Sequence, residues 1–202
     1  MRKRILRATS LAAFAGCASL PAAVDPGALA MRELPAGAVV TVSRIPPPWY
    51  AARFLIVRGF RRAVPEYQAV PGLERKHFTI AADGRFGGIY RWRDRASAKA
   101  WFGPKWHEGV RRRWGADGDL RFIDAVRTLD GPAPPVEEGS MVGAIAPGSL
   151  EAYRGASGLR MATEGQGQVV SLWRSRADAE GFFAGQGDVE WFDAPIALTN
   201  PP

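Results

Sequence analysis

The strongest constraint on this chain is that one pattern occurs in it twice. Residues 87–102 (GGIYRWRDRASAKAWF) align without gaps to residues 168–183 (QVVSLWRSRADAEGFF). Trp92, Arg93, Arg95, Ala96, Ala98 and Phe102 meet Trp173, Arg174, Arg176, Ala177, Ala179 and Phe183. Upstream, Gly72-Leu73 matches Gly158-Leu159. Downstream, the run from Leu120 through Phe122 to Asp124-Ala125 matches the run from Val189 to Asp193-Ala194. Matching blocks in the same order point to a duplicated supersecondary unit.

The first copy is the fuller one. Residues 73–81 and 85–92 are strand-like runs joined at Asp83-Gly84, a dipeptide suited to a tight hairpin turn. A first strand is expected over 38–45. Pro46-Pro47-Pro48 then opens a helix, where a missing N–H costs nothing. Tyr50, Phe54, Val57, Arg61 and Val64 recur at helical spacing, thickened by Leu55 and Ile56, and Pro65 ends or kinks this helix. Asp94 is a plausible N-cap for a second helix, whose stripe is Ala98, Phe102, Trp106 and Val110. Gly103-Pro104 predicts a restart within it. Arg111, Arg112 and Arg113 suit its C-terminal dipole, Gly115 stops it, and a strand closes the unit over 120–129. The order is β-α-β-β-α-β, that of a ferredoxin-like unit.

The second copy repeats that order in reduced form. It has a strand over 141–146, a short helix over 149–155 and a hairpin over 159–173 turning near Gly165-Gln166-Gly167. A short helix over 177–183 and a strand over 189–198 follow. It lacks a counterpart to residues 103–115, so any chemistry is expected in the first unit. The fold class is therefore α+β, with tandem ferredoxin-like units over 37–131 and 139–202 and a Pro-rich linker over 132–138.

The N-terminus is of a different kind. Arg2, Lys3, Arg4 and Arg7 precede a short apolar run, the layout of a signal peptide over 1–16. Phe14-Ala15-Gly16-Cys17 resembles a bacterial lipobox, which makes Cys17 the candidate lipidation site. The alternative is ordinary secretion, with cleavage after Ala13-Phe14-Ala15. Residues 17–36, rich in Ala, Pro and Gly, read as a flexible tether. The expected location is the bacterial cell envelope, lipid-anchored and facing the periplasm, or else secreted into it. With Cys17 the single cysteine, an intrachain disulfide is excluded. The formal charge of +7 is no nucleic-acid signal, because four of those charges lie in residues 1–16 and +3 remains beyond them.

Further along, the chain carries Pro65-Glu66-Tyr67, Val70-Pro71-Gly72-Leu73, Lys76, Phe78, Asp83-Gly84 and Phe86-Gly87-Gly88-Ile89-Tyr90. Trp92, Arg95-Ala96, Ala98, Ala100-Trp101-Phe102 and Trp106 follow. This succession resembles the YdhR-like family of monooxygenase-type proteins over roughly residues 38–130. Trp191-Phe192-Asp193-Ala194-Pro195 and Asn200 resemble that family's closing strand. The family belongs to the dimeric α/β-barrel superfamily, in which two ferredoxin-like units pair their sheets into one barrel. The resemblance implies that the two units pair within this chain as a pseudo-dimer. It also implies a small aromatic or hydrophobic ligand held against the sheet and, in some members, oxygen insertion without metal or flavin. No cofactor is therefore expected.

A two-residue turn at Asp83-Gly84 would set His77 opposite Tyr90 and Arg75 opposite Trp92. One face would then gather an imidazole, a phenol, an indole and a guanidinium. A cofactor-free oxygenase needs a base to ionise its substrate, and His77 and His107 are the two imidazoles available. The candidate site is therefore His77 and His107 as catalytic bases, with Arg75, Tyr90, Trp92 and Trp106 binding substrate. The bland reading is that Tyr90, Trp92 and Trp106 are packing residues and His107 is solvated. No metal-ligand spacing, P-loop or nucleophile elbow is present. A non-catalytic ligand-binding or envelope-stress lipoprotein on the same fold is the second reading. Expected partners are a small aromatic molecule and the membrane through its anchor, with no nucleic acid; a homodimer stays open.

Overall fold

The computed structural model describes residues 29–201. The signal segment, Cys17 and the first part of the expected tether lie outside the described residues. In chain order the elements are β1 (Ala30–Glu33), β2 (Val39–Ile45), α1 (Arg53–Gln68), β3 (Leu73–Ala81) and β4 (Phe86–Trp92). Then come α2 (Arg95–Trp101), α3 (Pro104–Trp114), β5 (Asp119–Asp124), β6 (Arg127–Asp130) and β7 (Val136–Pro147). A single 3₁₀ turn (Leu150–Tyr153), β8 (Leu159–Gly165), β9 (Gln168–Trp173), α4 (Arg176–Phe182) and β10 (Glu190–Thr199) complete the chain.

All ten strands form one antiparallel sheet in the order β1-β6-β8-β9-β7-β10-β3-β4-β2-β5. The chain is thus α+β, with a large antiparallel sheet and four α-helices among the described residues. Within it, β3-β4-β2-β5 and β8-β9-β7-β10 present the same succession of second, third, first and fourth strands. β10 crosses from one set to the other by pairing with both β7 and β3. The ends of the sheet also meet, because β5 and β6 are consecutive stretches of chain. Ala125 N–H donates to Ala38 O on one side, and Val126 N–H donates to Glu164 O on the other. The sheet therefore wraps round and joins its own edge, which leaves few unpaired strand groups.

Local chemistry accounts for several helix ends. Asp94 accepts from Ser97 N–H at 2.7 Å to cap α2, and Ser175 plays the same part for α4 toward Asp178. Pro104 sits in the first turn of α3, and Gly115 takes the left-handed conformation (φ 72°) that ends it. Pro65 neither ends nor breaks α1, which continues to Gln68. The buried side of α1 is Ile56 and Phe60, with Ala63 and Tyr67 half-buried, whereas Tyr50 and Phe54 are exposed. The apolar face is thus rotated from the stripe the spacing suggested. Two other expectations are corrected. Residues 30–33 of the tether form β1, which pairs with β6, and β7 starts at Val136 inside the expected linker.

The first hairpin departs from the sequence reading by one residue. Ala81 N–H donates to Arg85 O and Ile80 faces Phe86, so the loop has three residues, with Gly84 at φ 81°. A one-residue change in register sends every side chain to the other face of the sheet. Lys76, and not His77, therefore faces Tyr90; His77 faces Ile89; and Leu73 faces Trp92. The second hairpin does have a two-residue turn, Gln166-Gly167, with both residues at positive φ.

Candidate functional site

A cavity of about 840 Å³ lies between α1, α3 and the helix-side face of β3 and β4. Its lining is dominated by aromatic rings, among them Tyr67, Phe78, Phe86, Tyr90, Trp101 and Trp106. The corrected register explains why they converge. Phe78 and Phe86 project from neighbouring strands on the side that α1 covers, and Tyr90 lies four residues beyond Phe86 on the same face of β4. Tyr67 comes down from the last turn of α1, with its ring centroid 5.4 Å from that of Phe78 and 5.1 Å from that of Trp101. Asn200 fixes this corner by donating to Tyr67 O at 3.1 Å and Leu73 O at 2.9 Å.

Lys76 stands on this face with 2% of its surface exposed. Its Nζ donates to Tyr90 Oη at 3.0 Å and lies 3.0 Å from the Tyr67 ring centroid and 4.0 Å from that of Phe78. It makes no ion pair with a carboxylate among the described residues. Burial holds the amine well below the ordinary lysine range and outweighs the opposing pull of Glu66. The aromatic faces return about 0.5–2 kcal/mol to an ammonium. Burying an unpaired charge costs several kcal/mol, so the balance is tilted toward the neutral amine. Burial likewise raises the Tyr67 and Tyr90 hydroxyls above the usual phenol value. The cavity thus ends on a primary amine whose charge burial disfavours, next to phenols whose protons burial holds in place.

The expected site residues divide sharply. Tyr90 and Trp106 line the cavity. Trp92 is fully buried behind Tyr90, stacked on it at 5.9 Å, with its Nε1 donating to Thr41 Oγ1 at 2.9 Å. Its position is that of a core residue. His77 and Arg75 project from the opposite face of the sheet. His77 is buried there, its Nδ1 without a hydrogen-bond partner, and burial together with Arg75 and Arg91 pushes its pKa down to about 3. Arg75 bonds Thr199 Oγ1 and Gly131 O. His107 is half-buried, edge-on to Trp106 at 5.0 Å, and does not line the cavity. The imidazoles and the cavity are therefore apart. Lys76, Tyr67 and Phe78 were missed as site residues. The signal available for them was a lysine between strand positions that continue as Phe78 and Ile80 on one parity.

In the second half, the equivalent region is filled by side chains. Where the first half pairs Lys76 with Tyr90, the second pairs Ala162 with Ser171, two residues before Trp173. The 3₁₀ turn replaces α1, and Tyr153, Phe182, Phe183 and Trp191 pack in a cluster with Trp173. Among the described residues no group of three or more His, Cys, Asp or Glu side chains is placed to hold a metal ion. No helix there is long and apolar enough to cross a membrane.

No family model matches the chain, and no curated protein matches it. Three solved structures share its fold. A "putative monooxygenase" from Lactobacillus acidophilus NCFM superposes with TM-score 0.51 at 6% identity, covering 81% of this chain and 96% of its own. A "putative monooxygenase" from Fusobacterium nucleatum subsp. nucleatum gives 0.53 at 6% identity, covering 82% and 96%. An anthrone oxidase-like protein gives 0.51 at 10% identity, covering 86% and 98%. At such identities the likeness is one of fold, and the chain has the fold of these monooxygenase-like proteins.

Proposed function

We propose that this chain binds a small aromatic molecule in the α1–α3 cavity and oxygenates it, with Lys76 as the base. The observation that carries the reading is a desolvated, unpaired amine at the inner end of an aromatic-lined cavity, touching a phenol hydroxyl. The fitting substrate class is a phenol or ketone with an acidic C–H, of which an anthrone is one instance. Lys76 takes that proton, and Tyr90 holds the developing oxyanion. The carbanion gives one electron to O₂, and the radical pair collapses to a C–O bond. Lys76 returns its proton to the distal oxygen. Loss of the second C–H proton then expels water and leaves a carbonyl. The balance is CH₂ + O₂ → C=O + H₂O, with all four electrons from the substrate carbon.

We infer further that the two halves are ferredoxin-like units paired as an intrachain equivalent of a dimeric α/β barrel. Support comes from the repeated strand order, the pairing of β10 with β3 and the return of β6 onto β8. Most of the residue blocks that resemble the YdhR-like family, those between Pro65 and Trp106, fall in the half that holds the cavity. Anchoring in the bacterial envelope through Cys17 rests on residues 1–17 and is tested by palmitate labelling that Cys17→Ala abolishes.

Oxygen uptake with an anthrone tests the activity. Lys76→Met should lower turnover at least about a hundredfold, the usual worth of a positioned base. Undiminished turnover in Lys76→Met would remove the lysine from the reaction. Binding without uptake in the unmodified protein would make this a ligand-binding protein instead.

A further inference from the structure

The charge around the cavity is distributed unevenly. Its inner end carries one buried amine, Lys76, whereas Arg62 of α1 and Lys105, Arg112 and Arg113 of α3 line its outer part, all four exposed. Glu66 is the one carboxylate among the lining residues. None of these four cations makes an ion pair among the described residues. On the same two helices Arg53, Arg61 and Arg111 are paired, to Asp193, Glu138 and Asp117. Arg58, off the cavity, is not.

Helix electrostatics explain only part of this. Arg112 and Arg113 lie in the last turn of α3, where the dipole favours cations. Lys105 lies in the first turn, where the dipole disfavours one and no acid compensates. Arg62 lies within α1, on the opposite wall. Cations from both walls, one of them against its own helix dipole, therefore converge on the opening of an apolar cavity. Such an arrangement concentrates positive potential where a ligand's outer end would rest.

We propose that the cavity takes an anionic aromatic compound, its ring system inside and a carboxylate or similar acid group at the mouth against Arg62, Lys105, Arg112 and Arg113. This rests on the reading that the cavity holds an aromatic ligand, and it adds the polar end of that ligand. The acid also fixes orientation, since a charged group is excluded from the dry end near Lys76 and the ring must enter first.

A matched pair of probes tests it: 1-hydroxy-2-naphthoate and its methyl ester, titrated against the full chain by tryptophan fluorescence in low salt. The acid should bind about tenfold more tightly than the ester, and the gap should narrow in 0.5 M NaCl. In Arg112→Gln/Arg113→Gln the gap should close, whereas Arg111→Gln, whose arginine is paired with Asp117, should keep it. Equal binding of acid and ester would overturn the anionic ligand while leaving the aromatic cavity standing. A preference for the acid that survives the double substitution would also overturn it. If neither probe binds, the cavity reading itself falls, and this inference with it.

Discussion

Lys76 and Tyr90 face each other across the β3–β4 pair, with the amine nitrogen 3.0 Å from the phenol oxygen. The lysine is as buried as any core residue and has no carboxylate to neutralise it. A charge in that place would be strongly unfavourable, so the pair constrains both stability and chemistry.

Replacing the amine by a thioether should therefore relieve the fold. Lys76→Met is expected to be more stable than the unmodified protein at neutral pH, by about 1–2 kcal/mol, because a desolvated amine is exchanged for an apolar chain of similar length. The sign of the pH dependence follows from the depressed folded pKa. The unfolded chain binds the proton more readily, so the penalty is full below the folded value and vanishes above the ordinary lysine value near 10.4. The difference in melting temperature between the two proteins should shrink as pH rises toward 10.

His77 makes the opposite kind of prediction, about acid stability and not activity. Its folded pKa of about 3 lies below the ordinary imidazole value of 6.5, so its contribution is intact above pH 6.5 and is lost as pH falls toward 3. Relative to His77→Leu, the unmodified protein should lose about 2–3 kcal/mol between pH 7 and pH 4.5, measured by urea denaturation. Binding of an aromatic ligand in the cavity should be the same in both, because the imidazole lies on the other face of the sheet.

These two residues show where the sequence was legible and where it was not. The repeat placed Trp92 and Trp173 at matching strand ends, and Asp94 and Ser175 are both N-caps in the structure. Strand parity is local and readable, but which parity faces the helices depends on the turn. The loop at Asp83-Gly84 holds three residues where two were assumed, and that single residue exchanged Lys76 for His77 at the site. Pairing between segments distant in sequence, such as Met31 with Leu129 or Ala197 with His77, has no local signature at all. Residues 30–33 read as tether because a four-residue edge strand carries too little pattern to stand out. The phase of α1 was misread for a related reason. Tyr50 and Phe54 keep helical spacing but are exposed, and of the two only Tyr50 lines the cavity.

Arg91 should be among the most sensitive positions for folding. It is 4% exposed and donates to Glu74 Oε2 at 3.0 Å, Asp130 Oδ2 at 2.7 Å and Thr128 Oγ1 at 2.9 Å. It therefore ties β4 to β6, across the closed sheet. Arg91→Leu leaves Asp130 buried without this partner and should cost about 3–5 kcal/mol, read as a fall in the urea midpoint at unchanged slope.

Two glycines offer a way to close the cavity without touching its chemistry. Gly59 of α1 and Gly109 of α3 both line it, and a Cβ at either meets nothing within 4 Å. Alanine at each should stabilise its helix by about 0.5–1 kcal/mol. Leucine at both should keep the fold and reduce affinity for an aromatic ligand by at least about tenfold. Isothermal titration with 1-naphthol, next to a thermal melt, separates the two effects.

The most direct test is a crystal structure of the protein soaked with 1-naphthol. The ring should lie among Tyr67, Tyr90 and Trp106, with its hydroxyl within hydrogen-bonding distance of Lys76 Nζ. Naphthol bound inside the closed sheet beside His77, or a cavity that stays empty at saturating ligand, would contradict the account.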